Sequence, residues 1–219
     1  MEQGYAWRGA VVLRDYLTDL PLVAILRGLH PDNARNVGFV LAEAGFRVIE
    51  VPLNSPEPFR SIEILAKTLP KNVLVGAGTV LNPDDVSGIH DMGGRLIVMP
   101  HADLEVIRRA RELGLFCTPG VATPTEAFAA LKAGADAIKI FPAEAIPPAV
   151  VKAWRAVLPK EAIVLPVGGI KPDTMKAYVE AGATGFGLGS ALFTPAMSTE
   201  EIGRNAQDFA QAWQDLCAA

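Results

Sequence analysis

Cysteine is scarce: Cys117 and Cys217 are the only two in 219 residues. They lie too far apart to suggest a disulfide framework, so a reduced, cytoplasmic setting is the simpler expectation. His30, His90 and His101 share no ligand spacing with one another or with the cysteines, which argues against a metal site. No apolar run approaches the length of a membrane span. Met1 to Leu20 carries Glu2, Arg8, Arg14, Asp15 and Asp19, and lacks both an apolar signal core and a small-residue cleavage site. The expectation is a soluble protein with no membrane partner. An excess of basic charge is missing too. Twenty Lys and Arg against 24 Asp and Glu leave a formal charge of −4, with both signs scattered, so no nucleic-acid partner is expected. Gly76-Ala77-Gly78 lacks the third glycine of a dinucleotide fingerprint. Trp7, Trp154 and Trp213 form no obvious stacking platform, and the first two are candidates for a subunit contact.

What the chain does have is hydrophobic pattern. Half its residues are hydrophobic, enough for one well-buried core, and no linker or low-complexity segment divides it, so a single domain over 1–219 is expected. Val12, Leu13, Tyr16, Leu17 and Leu20 recur at helical spacing, which predicts an N-terminal helix over about 8–20. Short apolar runs then alternate with amphipathic stretches. The runs are Leu22 to Leu26, Arg47 to Val51, Val73 to Ala77, Leu96 to Met99, Leu115 to Thr118, Ala135 to Phe141, Ile163 to Val167 and Thr184 to Leu188. Between them, Thr123-Pro124-Thr125-Glu126 reads as a capping box with proline at the first helical position, and Ser198 to Glu201 as a second. A helix with Val150, Trp154 and Val157 inward is expected before the seventh run. Eight strand–helix units in so short a chain predict an α/β fold, a (β/α)8 TIM barrel with an additional N-terminal helix.

Two stretches share one design. In Ala133 to Pro142 (AGADAIKIFP) a helix end leads into an apolar strand that finishes on Lys139. In Ala44 to Pro52 (AGFRVIEVP) the equivalent position is Glu50. Strand side chains alternate with period two, so Glu50 and Lys139 should face the same side of their sheet. Active sites of such barrels lie at the C-terminal strand ends, where Arg27, Glu50, Thr79 and Lys139 all fall. The last two loops, Val167-Gly168-Gly169-Ile170 and Gly187-Leu188-Gly189-Ser190, are glycine-rich. They either cradle a phosphate with backbone N–H groups or merely permit tight turns, and their pairing favours phosphate. Lys139 also has two readings. It is half of a buried ion pair with Glu50, or a desolvated amine able to attack a ketone and form a Schiff base. Cys117, inside a strand, reads as a small buried side chain, and His101 as a surface residue near the barrel mouth.

Taken in order, the Arg27-Gly28 strand end, Glu50-Val51-Pro52-Leu53-Asn54-Ser55, Gly76-Ala77-Gly78-Thr79-Val80, Lys139-Ile140-Phe141-Pro142, Val167-Gly168-Gly169 and Gly189-Ser190 resemble a known family. It is that of the class I aldolases acting on 2-keto-3-deoxy-6-phosphogluconate and its galactonate epimer, and the likeness covers essentially the whole chain. The resemblance implies that Lys139 is the Schiff-base lysine and Glu50 the proton shuttle. Arg27 and Thr79 would hold the substrate, Gly168, Gly189 and Ser190 its phosphate. It further implies no metal or cofactor, a homotrimer, and a phosphorylated 2-keto-3-deoxy sugar acid yielding pyruvate and glyceraldehyde 3-phosphate. Pro52-Leu53-Asn54-Ser55 replaces the Thr-Leu-Arg-Thr of the gluconate branch, and Val167 replaces its threonine. Both departures resemble the 2-dehydro-3-deoxy-6-phosphogalactonate branch, since Val167 removes a hydrogen-bond partner from the C4 oxygen. The gluconate epimer, a non-covalent phosphosugar isomerase or epimerase, and a non-catalytic phosphosugar-binding barrel are the alternatives.

Overall fold

The computed structural model describes residues 12–218. Its strands are β1 (Leu22–Ile25), β2 (Val48–Pro52), β3 (Leu74–Gly78), β4 (Leu96–Val98), β5 (Phe116–Thr118), β6 (Gly120–Val121), β7 (Ala137–Ile140), β8 (Ile163–Pro166) and β9 (Phe186–Leu188). Six of them pair in the order β5-β4-β3-β2-β1-β9 and three in the order β6-β7-β8, every pair parallel. The two sheets are sections of one curled wall. β5 and β6 are halves of a single strand broken at Pro119, which has no N–H to give to a ladder. The Pro119 carbonyl still accepts from the Lys139 N–H at 2.9 Å. On the far side an isolated parallel bridge between Val167 and Gly187, and a bond from the Thr184 N–H to the Val164 carbonyl, join β8 to β9. The result is an α/β fold with a curled parallel sheet, barrel-like in the TIM sense.

Alternation along each strand separates two apolar layers. Val23, Val48, Leu74, Leu96, Val98, Ala137, Ile163 and Leu165 pack inside the wall. Ala24, Ile49, Val51, Val75, Ile97, Ile138 and Val164 point outward onto the helices. Both faces are therefore buried, which is why the strands read as near-continuous apolar runs.

The outer helices are α2 (Pro31–Glu43), α3 (Pro58–Thr68), α4 (Pro83–Asp91), α5 (Leu104–Glu112), α6 (Pro124–Ala133), α7 (Pro148–Arg155), α8 (Met175–Glu180) and α9 (Thr199–Ala218). Among the described residues, no helix is long and apolar enough to cross a membrane. Both capping boxes form. Thr123 Oγ1 accepts from the Glu126 N–H while Glu126 accepts from the Thr123 N–H, and Ser198 and Glu201 exchange the same pair of bonds.

Three expectations need correction. The N-terminal helix is one turn, α1 (Leu13–Tyr16), and Leu17 already has φ −108°, so Leu17 and Leu20 pack beyond it; residues 8–11 of the expected span lie outside the described residues. Helix α7 turns Val151 and Trp154 inward with Leu158 just beyond it, whereas Val150 and Val157 are exposed. Val157 lies past the helix end, so the helical period does not extend to it. Trp154 is buried in the outer core layer and is not free for a subunit contact, while Trp7 lies outside the described residues.

Candidate active site

Parity decides what enters the barrel. On β2, Ile49 and Val51 face the helices, so Val48 and Glu50 face inward; on β7, Ile138 and Ile140 face outward, so Ala137 and Lys139 face inward. A slip of one residue in either strand would carry its charge into the helix layer. Glu50 and Lys139 are 1% and 5% exposed, and both line a small interior cavity of about 20 Å³. Above it opens a cleft of about 500 Å³. Arg27, Lys139, Val167, Gly168, Gly189 and Ser190 all line this cleft. Lys139 lines both spaces and thus stands at the boundary between closed interior and open mouth.

The two charges are not tied together. Among the described residues no ion pair joins Glu50 to Lys139, and Glu50 Oε2 has no hydrogen-bond partner at all. A strand-tying salt bridge is therefore not what these residues form. Burial pushes the Glu50 carboxyl up to about 7, against the pull of Lys139 and Arg27. Burial also pushes the Lys139 amine below its ordinary value; Glu50 opposes that change and Arg27 assists it. The Phe141 ring, its centroid 4.6 Å from Nζ, adds a face that favours the ammonium. Burial wins for both groups. Each is held toward its neutral form, which suits an amine that must attack and an acid that must give and take a proton.

Neighbouring strand ends position these groups. Gly78 on β3 is the seat of the Glu50 carboxylate, because a methyl group there would overlap its oxygens. Arg27 donates to Asn54 Oδ1 and, at 3.4 Å from each terminal nitrogen, to Thr79 Oγ1. Thr79 has φ +54°, a left-handed conformation uncommon for a β-branched residue. It does not line the cleft; it supports Arg27 from the side. The Gly28 N–H donates to Ser55 Oγ at 3.0 Å. The loop after β2 thus holds the end of β1.

The paired glycines have φ +109° at Gly168 and +63° at Gly169. The N–H of Gly168 points toward Gly187 across the parallel bridge, whereas those of Gly169 and Ser190 find no acceptor among the described residues, which leaves donors free for an anion. Sequence reasoning missed three neighbours. Thr118 lines the interior cavity, Phe141 lies beside the lysine, and Glu144 packs its carboxylate against Gly168 and Gly169. A polar residue closing the apolar run of β5 was the available signal for Thr118; for Glu144 there was none. Tyr178 of α8 fixes the turn that carries Glu144, its hydroxyl 2.9 Å from the Ala143 carbonyl and 3.2 Å from that of Ile146. Among the described residues no cluster of three or more His, Cys, Asp or Glu is arranged to hold a metal. His101 is exposed and Cys117 is fully buried.

A parallel barrel-like wall with a buried lysine at its mouth, a buried carboxyl just inside and free backbone donors above has the build of an α/β barrel active site. The family described as KDPG and KHG aldolase matches residues 13–206, and the chain belongs to it. It is 46% identical over 199 residues to the 2-dehydro-3-deoxy-6-phosphogalactonate aldolase of Escherichia coli K12, covering 90% of this chain and 97% of that one. A solved structure described as native KDPGal superposes with a TM-score of 0.90 at 44% identity, covering 92% of this chain and 98% of the other. A KDPG aldolase from Legionella pneumophila, described with pyruvate captured as a covalent carbinolamine intermediate, superposes with a TM-score of 0.76 at 25% identity, covering 92% and 96%.

Proposed function

We propose that this chain is a class I aldolase that reversibly cleaves 2-dehydro-3-deoxy-6-phosphogalactonate to pyruvate and glyceraldehyde 3-phosphate. The observation that carries the reading is the buried, unpaired Lys139 at the cleft floor with Glu50 on the wall of the same cavity. The Lys139 amine attacks the C2 ketone, and loss of water leaves a protonated imine. Ionised Glu50, directly or across one water, takes the C4 hydroxyl proton. The C3–C4 bonding pair then flows into the imine, and glyceraldehyde 3-phosphate departs from a pyruvate enamine. Glu50 returns its proton to C3, and hydrolysis frees pyruvate and the amine. An acid held near 7 serves both directions of that transfer at neutral pH.

Arg27, steadied by Asn54 and Thr79, would take the substrate carboxylate. Gly168, Gly189 and Ser190 would hold the phosphate. Val167 offers the C4 oxygen no hydrogen bond, which supports the galactonate configuration. The likeness to the family also supports one domain over the whole chain, a homotrimer, and no metal or cofactor. Both cysteines are free, which suits a cytoplasmic setting. The deciding experiment assays the two C4 epimers side by side for pyruvate release, with borohydride trapping of pyruvate as a second readout. Faster turnover of the galactonate epimer and a stable adduct on Lys139 are expected. Interconversion of the substrate with neither pyruvate release nor an adduct would replace the aldolase with acid–base isomerase chemistry.

A further inference from the structure

We propose that the N-terminal turn is a working part of the site: Leu13 and Leu17 stopper the lower end of the barrel and so keep water from reaching Lys139 and Glu50 on that side. The inference rests on the Schiff-base reading and deepens it. Of the residues lining the interior cavity, Leu13 and Leu17 precede β1 and belong to none of the strands. Both are buried, at 3% and 7% exposure, on Val23, Val48, Leu96, Val98 and Leu165. The cavity they close has about 20 Å³, room for about one water. Its walls are apolar except for Glu50, Thr118 and Lys139. Glu50, one of the residues lining that space, has its Oε2 fully buried and without a partner, an open acceptor. Solvent reaching the cavity would find it at once.

Separate contacts fasten the stopper to the rim and leave the chemistry untouched. The Arg14 guanidinium donates to the Glu161 carbonyl at 2.6 Å, and within the segment itself the Thr18 hydroxyl donates to the Arg14 carbonyl at 3.0 Å. Tyr16 stands edge-on to Phe116 of β5, with ring centroids 6.0 Å apart. The charged groups facing Lys139 are Glu50 on β2 and Arg27 after β1, with Glu144 and Lys171 on the cleft walls. Admitting water from below changes none of these partners. It solvates the ammonium and the carboxylate instead, drawing the amine toward its reference near ~10.4 and the acid toward ~4.3. Less free amine is then available at neutral pH.

The test follows borohydride trapping of pyruvate against pH in the full chain, for wild type, Leu13→Ala, Leu17→Ala and Arg14→Ala. Leu65→Ala, a truncation in the outer layer, is the control for lost packing alone. The stopper variants should move the midpoint upward by about one pH unit and slow trapping at neutral pH about tenfold. The control should keep the wild-type midpoint. An unmoved midpoint in folded Leu13→Ala and Leu17→Ala overturns the proposal. Should neither leucine variant fold, Arg14→Ala carries the test with the same two outcomes. Failure of the wild type to trap pyruvate is a separate result, and overturns the Schiff-base reading instead.

Discussion

Replacing Glu50 by glutamine should make the protein more stable in mild alkali while removing its activity. Glu50 is buried, its Oε2 is unbonded, and burial holds its carboxyl at about 7 against 4.5 in an exposed chain. The folded state therefore holds this proton more tightly than the unfolded state does. The associated stability is fully present below about pH 4.5 and is lost as pH rises through 7. Two and a half pH units at 1.36 kcal/mol each make about 3 kcal/mol. Glutamine keeps the shape and never ionises. Its own costs, such as an amide left without an acceptor, are the same at every pH and cancel in a difference. Urea unfolding of both proteins at about pH 4.5 and about pH 8.5 isolates the effect. Between those conditions the balance should shift by about 3 kcal/mol toward the variant, which in thermal melts is about 6–12 °C for a chain of this size. A stability difference that stays constant over this range would refute the reasoning, because it would mean that Glu50 ionises in the fold as readily as in the open chain.

Two further substitutions probe the supports of the site. Gly78→Ala should displace the Glu50 carboxylate and lower kcat about 100-fold in steady-state assays, with a much smaller change in KM. Gly168→Ala forces a side chain into a φ of +109° and against Glu144; KM for the phosphorylated substrate should rise about tenfold or more, while borohydride trapping of pyruvate stays at the wild-type rate.

The alternation of apolar strands with capped helices was legible because each element buries one periodic face. Period two on β2 and β7 was enough to place Glu50 and Lys139 on a common side. The break at Pro119 and the single-turn α1 were less legible. A proline inside an apolar run shows no sign of where the ladder resumes, and Leu13, Leu17 and Leu20 keep helical spacing although Leu17 packs inside the wall with Leu13 while Leu20 packs in the outer layer. Val157 misled for a related reason, because α7 ends at Arg155 and the period ran past the helix that would carry it; Val150 lies within α7 but on the side away from Val151 and Trp154, the pair that faces the core.

The order of residues alone determined which side chains reach the strand ends, because a strand's pleat and the direction of a parallel unit are local properties. It also determined where backbone donors stay free, since glycines in succession allow the turns that expose them. Whether the lysine and the carboxylate would bind each other was decided only in three dimensions. That outcome depends on how closely the curled wall brings β2 to β7 and on how little water the closed end admits. Desolvation is a property of everything packed around a charge, including Leu13 and Leu17, more than a hundred residues from Lys139 along the chain.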